Sequence, residues 1–305
     1  DGKIRLYSQK TKEIYFGLFP YIRAFAEERG YNIVSEEGVE VNNKVDKDVV
    51  KKFSNSLGQK FEARDYQIDA IYHSLKFNRA LLLSPTASGK SFIIYSLIRY
   101  YSHLIKDTPN NRILLIVPTT SLVEQMYSDF ESYGWDVKKN CHRLYSGYSN
   151  QTDKKVLIST WQSLYKLPKT YFEQFGCVFG DEAHLFKSKS LTEIMTKLED
   201  CKYRIGLTGT LDGAQTHKLV LEGLFGAVNK VTSTRKLMDK QQLSNLVVRC
   251  LILKHTVENS KMVASGKYQD EIDYLVSSKS RQNFIRNLAL KLKGNTLVLF
   301  QLVEK

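Results

Sequence analysis

Ala80-Leu81-Leu82-Leu83-Ser84-Pro85-Thr86-Ala87-Ser88-Gly89-Lys90-Ser91 decides the fold. Four apolar residues suited to a buried parallel strand run into a loop of small residues, and Phe92, Ile93, Ile94, Leu97, Ile98 and Tyr101 follow at helical spacing. The spacing predicts strand, loop, helix. Such a loop turns backbone N–H groups inward at a helix N-terminus, where unpaired donors and the helix dipole favour a polyphosphate. The stretch departs from G-x-x-x-x-G-K-[ST] only at its first position, where Ser84 stands for glycine and is small enough to let the chain turn. Thr86, Ala87, Ser88 and Gly89 then form the cradle, Lys90 reaches the β- and γ-phosphates, and Ser91 offers its hydroxyl to Mg2+. A bare Gly-Lys-Ser is common in surface loops; the strand before it and the helix after it set this one apart.

The 305 residues allow about two domains, and 42% hydrophobic residues is ordinary for a globular core. No run approaches the roughly 18 consecutive apolar residues of a membrane span, and Asp1-Gly2-Lys3-Ile4-Arg5 lacks the apolar centre of a signal peptide. A cytoplasmic monomer is expected, one that works in the host cytoplasm if a phage encodes it. With no initiating Met, the chain is expected to begin inside a longer protein. Cys141, Cys177, Cys201 and Cys250 form no C-x-x-C pair and read as buried, reduced thiols. The formal charge of +13 favours a polyanionic partner without saying which.

Along the chain, residues 1–34 read as the tail of a small α+β module, with a short helix Tyr21–Ala26 ended by Gly30 and a strand Tyr31–Val34. Residues 35–60 read as a polar linker holding a short helix near Asp46–Asn55. Phe61 to Ile71 opens a helix just ahead of the phosphate loop. There a Gln67 amide, able to donate and accept at once, suits an adenine edge, and Arg64 stands ready to stack or pair beside it. An amphipathic helix with an incidental Gln is the plainer alternative.

Arg112–Pro118 is the next buried strand, followed by Thr119 and Thr120 at a helix start; Lys155–Gln162 repeats the design, with Thr160 and Gln162 at its end. These hydroxyls and amides either cap helices or hold a nucleic-acid phosphate. Cys177-Val178-Phe179-Gly180-Asp181-Glu182-Ala183-His184 is an apolar strand ending in two adjacent carboxylates, about ninety residues past the phosphate loop. A Mg-nucleotide site needs that pair: Asp181 for the hydrated metal and Glu182 for the attacking water. Arg204–Thr210 is a further strand, whose Thr208 and Thr210 are either turn residues or contacts to His184 that sense nucleotide state.

In this order and spacing, Gln67, Ser84–Ser91, Pro118-Thr119-Thr120, Thr160–Gln162, Asp181-Glu182-Ala183-His184 and Leu207-Thr208-Gly209-Thr210 resemble the motif series of superfamily 2 helicases of the DEAH-box type. The resemblance covers residues 61 to about 230. It implies an α/β fold: a RecA-like P-loop domain with a parallel sheet flanked by helices over 61–235, using ATP and Mg2+. Softer phrases (Phe16-Gly17-Leu18, Ile116-Val117-Pro118-Thr119-Thr120, Lys236-Leu237-Met238) resemble phage helicases that remodel branched DNA at forks, Holliday junctions and D-loops in recombination, replication and repair. On that likeness residues 1–34 are the remainder of a DNA-binding domain and the partner is single-stranded and branched DNA.

Residues 236–305 read as a crossover strand (Leu243–Lys254), a helix (Ser280–Leu292) and, at Asn295–Phe300, the first strand of a second RecA-like domain. The chain stops at Lys305, before the arginines with which such a domain completes the ATP site. The expectation is therefore a chain that binds Mg-ATP and DNA but hydrolyses weakly. From Arg235 on there are 13 Lys or Arg against 6 Asp or Glu, read as a solvated surface. The alternatives are the motor of a restriction system, an RNA helicase, and a DNA-binding fragment with no motor activity.

Overall fold

A computed structural model describes residues 5–36, 41–185, 188–211, 215–244, 246–264 and 266–299. The chain divides near Ser244 into two compact units, rather than at 235.

The first unit opens with a hairpin, β1 (Tyr7–Ser8) and β2 (Glu13–Ile14), then helix α1 (Phe19–Glu27). Residues 31–34, expected as a strand, pair with no strand, and Val34 is 95% exposed. A two-sided apolar run has no ladder to join here. The N-terminal segment does pack on the body of the unit. A Cβ on Gly17 would lie 1.9 Å from the Glu222 carbonyl, and the Tyr21 hydroxyl donates to buried Glu222 at 2.8 Å.

Helix α2 (Lys47–Asn55) starts at Asp46, whose carboxylate caps the Asp48 and Val49 N–H groups. Residues 41–60, read from composition as a linker, instead lie against α3 (Asp65–Phe77). Val50 is buried, and the Asn43 amide donates to Leu75 O and Asn78 Oδ1. Charged residues on the outer face of α2 hid the inward one.

A seven-stranded parallel sheet forms the centre, from β3 (Arg79–Leu83), β4 (Arg112–Val117), β5 (Cys141–Leu144), β6 (Val156–Thr160), β7 (Phe175–Gly180), β8 (Tyr203–Thr208) and β9 (Val228–Lys230). The order is β5-β6-β4-β7-β8-β3-β9. Its inner strands are buried apart from Arg79, Leu83, Arg112 and Tyr203 at their ends, as near-continuous apolar runs require. Helices α3, α4 (Lys90–Leu104) and α5 (Thr120–Ser132) supply one core, and the helices Ser188–Lys197 and Gln215–Phe225 belong to the other.

Gly180 and Gly206 are register partners, and a Cβ on either would come within 2.8 Å of the Phe225 ring. Two missing side chains thus let one aromatic ring lie flat under the strand end that carries Asp181. Because all the strands are parallel, every loop leaving a strand's C-terminal end lies along one edge, where ligands of open α/β sheets gather.

The second unit contains helices Val257–Ala264, Tyr268–Ser277 and Lys279–Lys291, the last matching the expected Ser280–Leu292. None of its described residues is fully buried. The two strands expected there do not form among the described residues: 246–254 and 295–299 are irregular, and Phe300 lies outside the description. A parallel strand exists only beside another, and these runs have none. For the same reason Cys250, expected to be buried, is exposed, whereas Cys141, Cys177 and Cys201 are buried as anticipated. No helix among the described residues is long and apolar enough to cross a membrane.

Candidate nucleotide site and the adjoining strand ends

β3 ends at Leu83 and the chain turns through Ser84–Gly89 into α4. Ala87 (φ 63°) and Gly89 (φ 78°) adopt left-handed backbone, and Thr86 and Ala87 are exposed at the loop tip. Inside the loop, buried Ser84 Oγ lies 2.6 Å from Ser88 Oγ, and Ser88 Oγ donates to Pro85 O. Ser84 N donates to Thr208 O, tying the loop to β8. The serine that replaces glycine therefore has a bond of its own to make.

Gln67 braces the loop from behind. Its Oε1 accepts from Arg64 N at 2.9 Å and its Nε2 donates to Ser88 O at 3.0 Å, so both ends of the amide are engaged. A Cβ on Gly89 would sit 2.3 Å from that Nε2. Arg64 caps α3 and donates to the Tyr66 hydroxyl.

β7 delivers Asp181 and Glu182 two strands from the loop, with β8 between. Lys90 Nζ nevertheless lies 2.5 Å from Glu182 Oε1, so the loop and the acidic pair meet. Glu182 has φ 48°, a left-handed conformation costly for a side chain with a Cβ and typical of functional sites. Asp181 is 2% exposed, and its Oδ1 has no hydrogen-bond partner. Burial pushes its carboxyl up to about 6, against the pull of Lys90. A buried carboxylate oxygen without a donor suits a cation. Among the described residues no group of three or more His, Cys, Asp or Glu is placed to hold a metal ion.

His184 Nδ1 lies 3.4 Å from Glu182 Oε2 and 2.7 Å from Thr208 Oγ1, and Thr208 Oγ1 donates to Thr210 O at 2.8 Å. The three residues expected to couple therefore form one chain of contacts starting at Glu182. Thr210 takes part through its carbonyl, not its side chain.

The residues assigned to nucleic acid lie at the C-terminal ends of the paired strands β4 and β6, in register at Val117 and Thr160. Thr119 caps α5 by accepting from Leu122 N, and Thr120 and Gln162 are exposed. Thr160 is buried at the start of the helix Trp161–Leu164, its hydroxyl 3.0 Å from Ser163 Oγ and without a bond to that helix's backbone.

Three residues at this site escape the sequence reading. Ser91 Oγ lies 2.9 Å from the Tyr133 hydroxyl and neighbours the Asp129 carboxyl, whose pKa it pulls down, both from the C-terminal part of α5 and its cap, while Phe61 packs edge-on against Tyr133 with ring centres 5.8 Å apart. No motif spacing marks them; only the crossing of α4 and α5 brings them together.

The family described as "Type III restriction enzyme, res subunit" matches residues 60–213. The chain is 32% identical to the ATP-dependent DNA helicase uvsW of Enterobacteria phage T4 over 316 aligned positions, covering all of this chain and 62% of that protein. It is 26% identical to the DNA 3'-5' translocase XPB2 of Sulfurisphaera tokodaii over 242 positions, 78% of this chain and 48% of that one. Among solved structures, a crystal structure of the UvsW helicase from bacteriophage T4 superposes with a TM-score of 0.67 at 32% identity, covering 75% of this chain and 83% of that chain. A second structure of T4 UvsW gives 0.68 at 30% identity over 95% of this chain and 58% of its own. The chain thus spans about three-fifths of the T4 relative's length.

Proposed function

This chain belongs to the UvsW-like superfamily 2 helicases, and we propose that it is the ATP-binding motor part of a DNA helicase or translocase that remodels branched DNA. One observation carries the reading: the phosphate loop ending at Ser91 and the acidic pair beginning at Asp181 converge, with Lys90 against Glu182.

In this reading the backbone of Thr86–Gly89 cradles the phosphates of ATP and Lys90 leaves Glu182 to pair with them. Glu182, freed of Lys90 and steadied by His184, orients and deprotonates the attacking water. Ser91 and Asp181 are the residues that would hold Mg2+. When bound, that ion neutralises phosphate charge and orients the triphosphate. Gln67, held between Arg64 and Ser88, keeps a second Nε2 proton and a second Oε1 lone pair with which to read an adenine edge, which makes it a link between base and loop. Thr119, Thr120 and Gln162 supply phosphate contacts to DNA at the shared strand edge.

The preference for branched DNA and a role in phage recombination, replication and repair rest on the likeness to the T4 protein. The +13 charge supports a polyanionic partner of either sugar. The test is ATPase activity with no nucleic acid, single-stranded DNA, duplex, a four-way junction and RNA in parallel. The proposal expects the largest stimulation from DNA, with the junction foremost. Equal stimulation by RNA, or none by any DNA, overturns it.

A further inference from the structure

The Ser91 hydroxyl has a partner far away in sequence: the Tyr133 hydroxyl, 42 residues downstream and 2.9 Å off. Asp129, one turn back along α5, has a partly buried carboxyl that desolvation pushes upward and the neighbouring Ser91 hydroxyl pulls back.

Tyr133 is held firmly in place. Its ring packs edge-on against Phe61 and Phe92 and at a tilt against Tyr95, with centres 5.8, 5.6 and 5.2 Å apart. The chain leaves α5 through Gly134 at φ 87°, and there a Cβ would lie 3.2 Å from the Gly58 carbonyl oxygen. These ring contacts and the adjoining backbone seam hold the Tyr133 ring with its hydroxyl against Ser91.

A hydroxyl that ligates a cation does so through its oxygen, so its O–H must point to another acceptor. The Tyr133 oxygen and the Asp129 carboxylate are the acceptors that the fold supplies. We propose that Tyr133 is a positioning residue for the phosphate loop: with Asp129 it accepts the hydrogen bond of the Ser91 hydroxyl, which keeps its proton, and so turns the serine oxygen toward the Mg2+ that accompanies a nucleotide. This rests on the reading of the loop as a nucleotide site. It adds a requirement lying outside the loop and the acidic pair, on the helix whose first turn carries Thr120.

The ring contacts alone would be served equally by phenylalanine, so Tyr133→Phe separates a positioning role from a packing one. The measurement is the affinity of the full chain for N-methylanthraniloyl-ADP by fluorescence, with excess Mg2+ and with EDTA, alongside the melting temperature. Wild type is expected to bind the probe more tightly with Mg2+. Tyr133→Phe is expected to lose about fivefold in Mg2+, the worth of one neutral hydrogen bond, and to match wild type in EDTA; Asp129→Asn should shift the same way. An equal loss under both conditions, no change, or tighter binding in Mg2+ overturns the proposal. Failure of wild type to bind the probe at all sinks the nucleotide reading itself and this proposal with it.

Discussion

Lys90 Nζ and Glu182 Oε1 stand 2.5 Å apart, although 92 residues separate them in the chain. The side chains are 12% and 22% exposed, so the pair is shielded but reachable. Each is the other's occupant of a place that chemistry assigns to a phosphate and a water. Replacing Lys90 by Ala removes the cation from the loop and leaves Glu182 with His184 alone. ATPase should fall on the order of 10²–10³-fold, as when a charge-stabilising group is lost from a preorganised site. Affinity for a single-stranded oligonucleotide without nucleotide should stay within about twofold, since Thr119, Thr120 and Gln162 are untouched. Parallel loss of oligonucleotide binding would mean that the two sites are not separable as described.

Gly89 offers a sharper test of the loop. It sits at φ 78°, where a Cβ costs about 1–2 kcal/mol, and that Cβ would lie 2.3 Å from Gln67 Nε2. Gly89→Ala should therefore break the Gln67–Ser88 bond and shift the cradle. We expect nucleotide affinity to drop by about tenfold or more, while the melting temperature falls only a few degrees. Unchanged nucleotide affinity would show that Gln67 does not brace the loop in solution.

Much of this site was legible before the fold was known, because strand, small-residue loop and helix are local patterns, and Asp181-Glu182 ends an apolar run. What sequence could not show is which distant groups would meet. Asp129 and Tyr133 lie on a helix whose visible feature is its N-terminal threonines, and their approach to Ser91 depends on how α5 crosses α4. The left-handed Glu182 follows from the turn that packs Ala183 and His184 against β8, not from its own identity. The expected strands at 31–34, 243–254 and 295–300 had the right composition, but a strand is defined by its neighbour. The short strands β5 and β9, in contrast, go unseen by composition and form because β6 and β3 offer them an edge.

The contact between His184 and Thr208 predicts its own phenotype. Thr208 Oγ1 gives its one proton to Thr210 O, so it accepts from His184, which puts the Nδ1 proton on the histidine. Thr208→Val keeps the shape and deletes the acceptor. Basal ATPase should stay within about threefold, but stimulation by DNA should fall about fivefold or more, the range of a coupling free energy of 1–3 kcal/mol. The readout is ATPase with and without a single-stranded oligonucleotide. Full stimulation in the variant would assign the contact to turn structure alone.

Asp181 supplies a pH dependence with a definite sign. Burial raises its carboxyl from 3.8 to about 6, so between those values the folded chain binds more protons than the unfolded one. Stability should therefore decline as pH rises from 4 to about 6, by on the order of 2–3 kcal/mol for this group, and stay level above that. Asp181→Asn has no proton to lose, so its melting temperature measured without metal should gain on wild type across that window, whatever constant offset the amide introduces. Mg2+ with nucleotide should reverse the order at neutral pH, because only the carboxylate compensates the cation. A pH-independent difference between the two proteins would mean that Asp181 is not desolvated in solution, and would remove the unpaired oxygen on which its metal role depends.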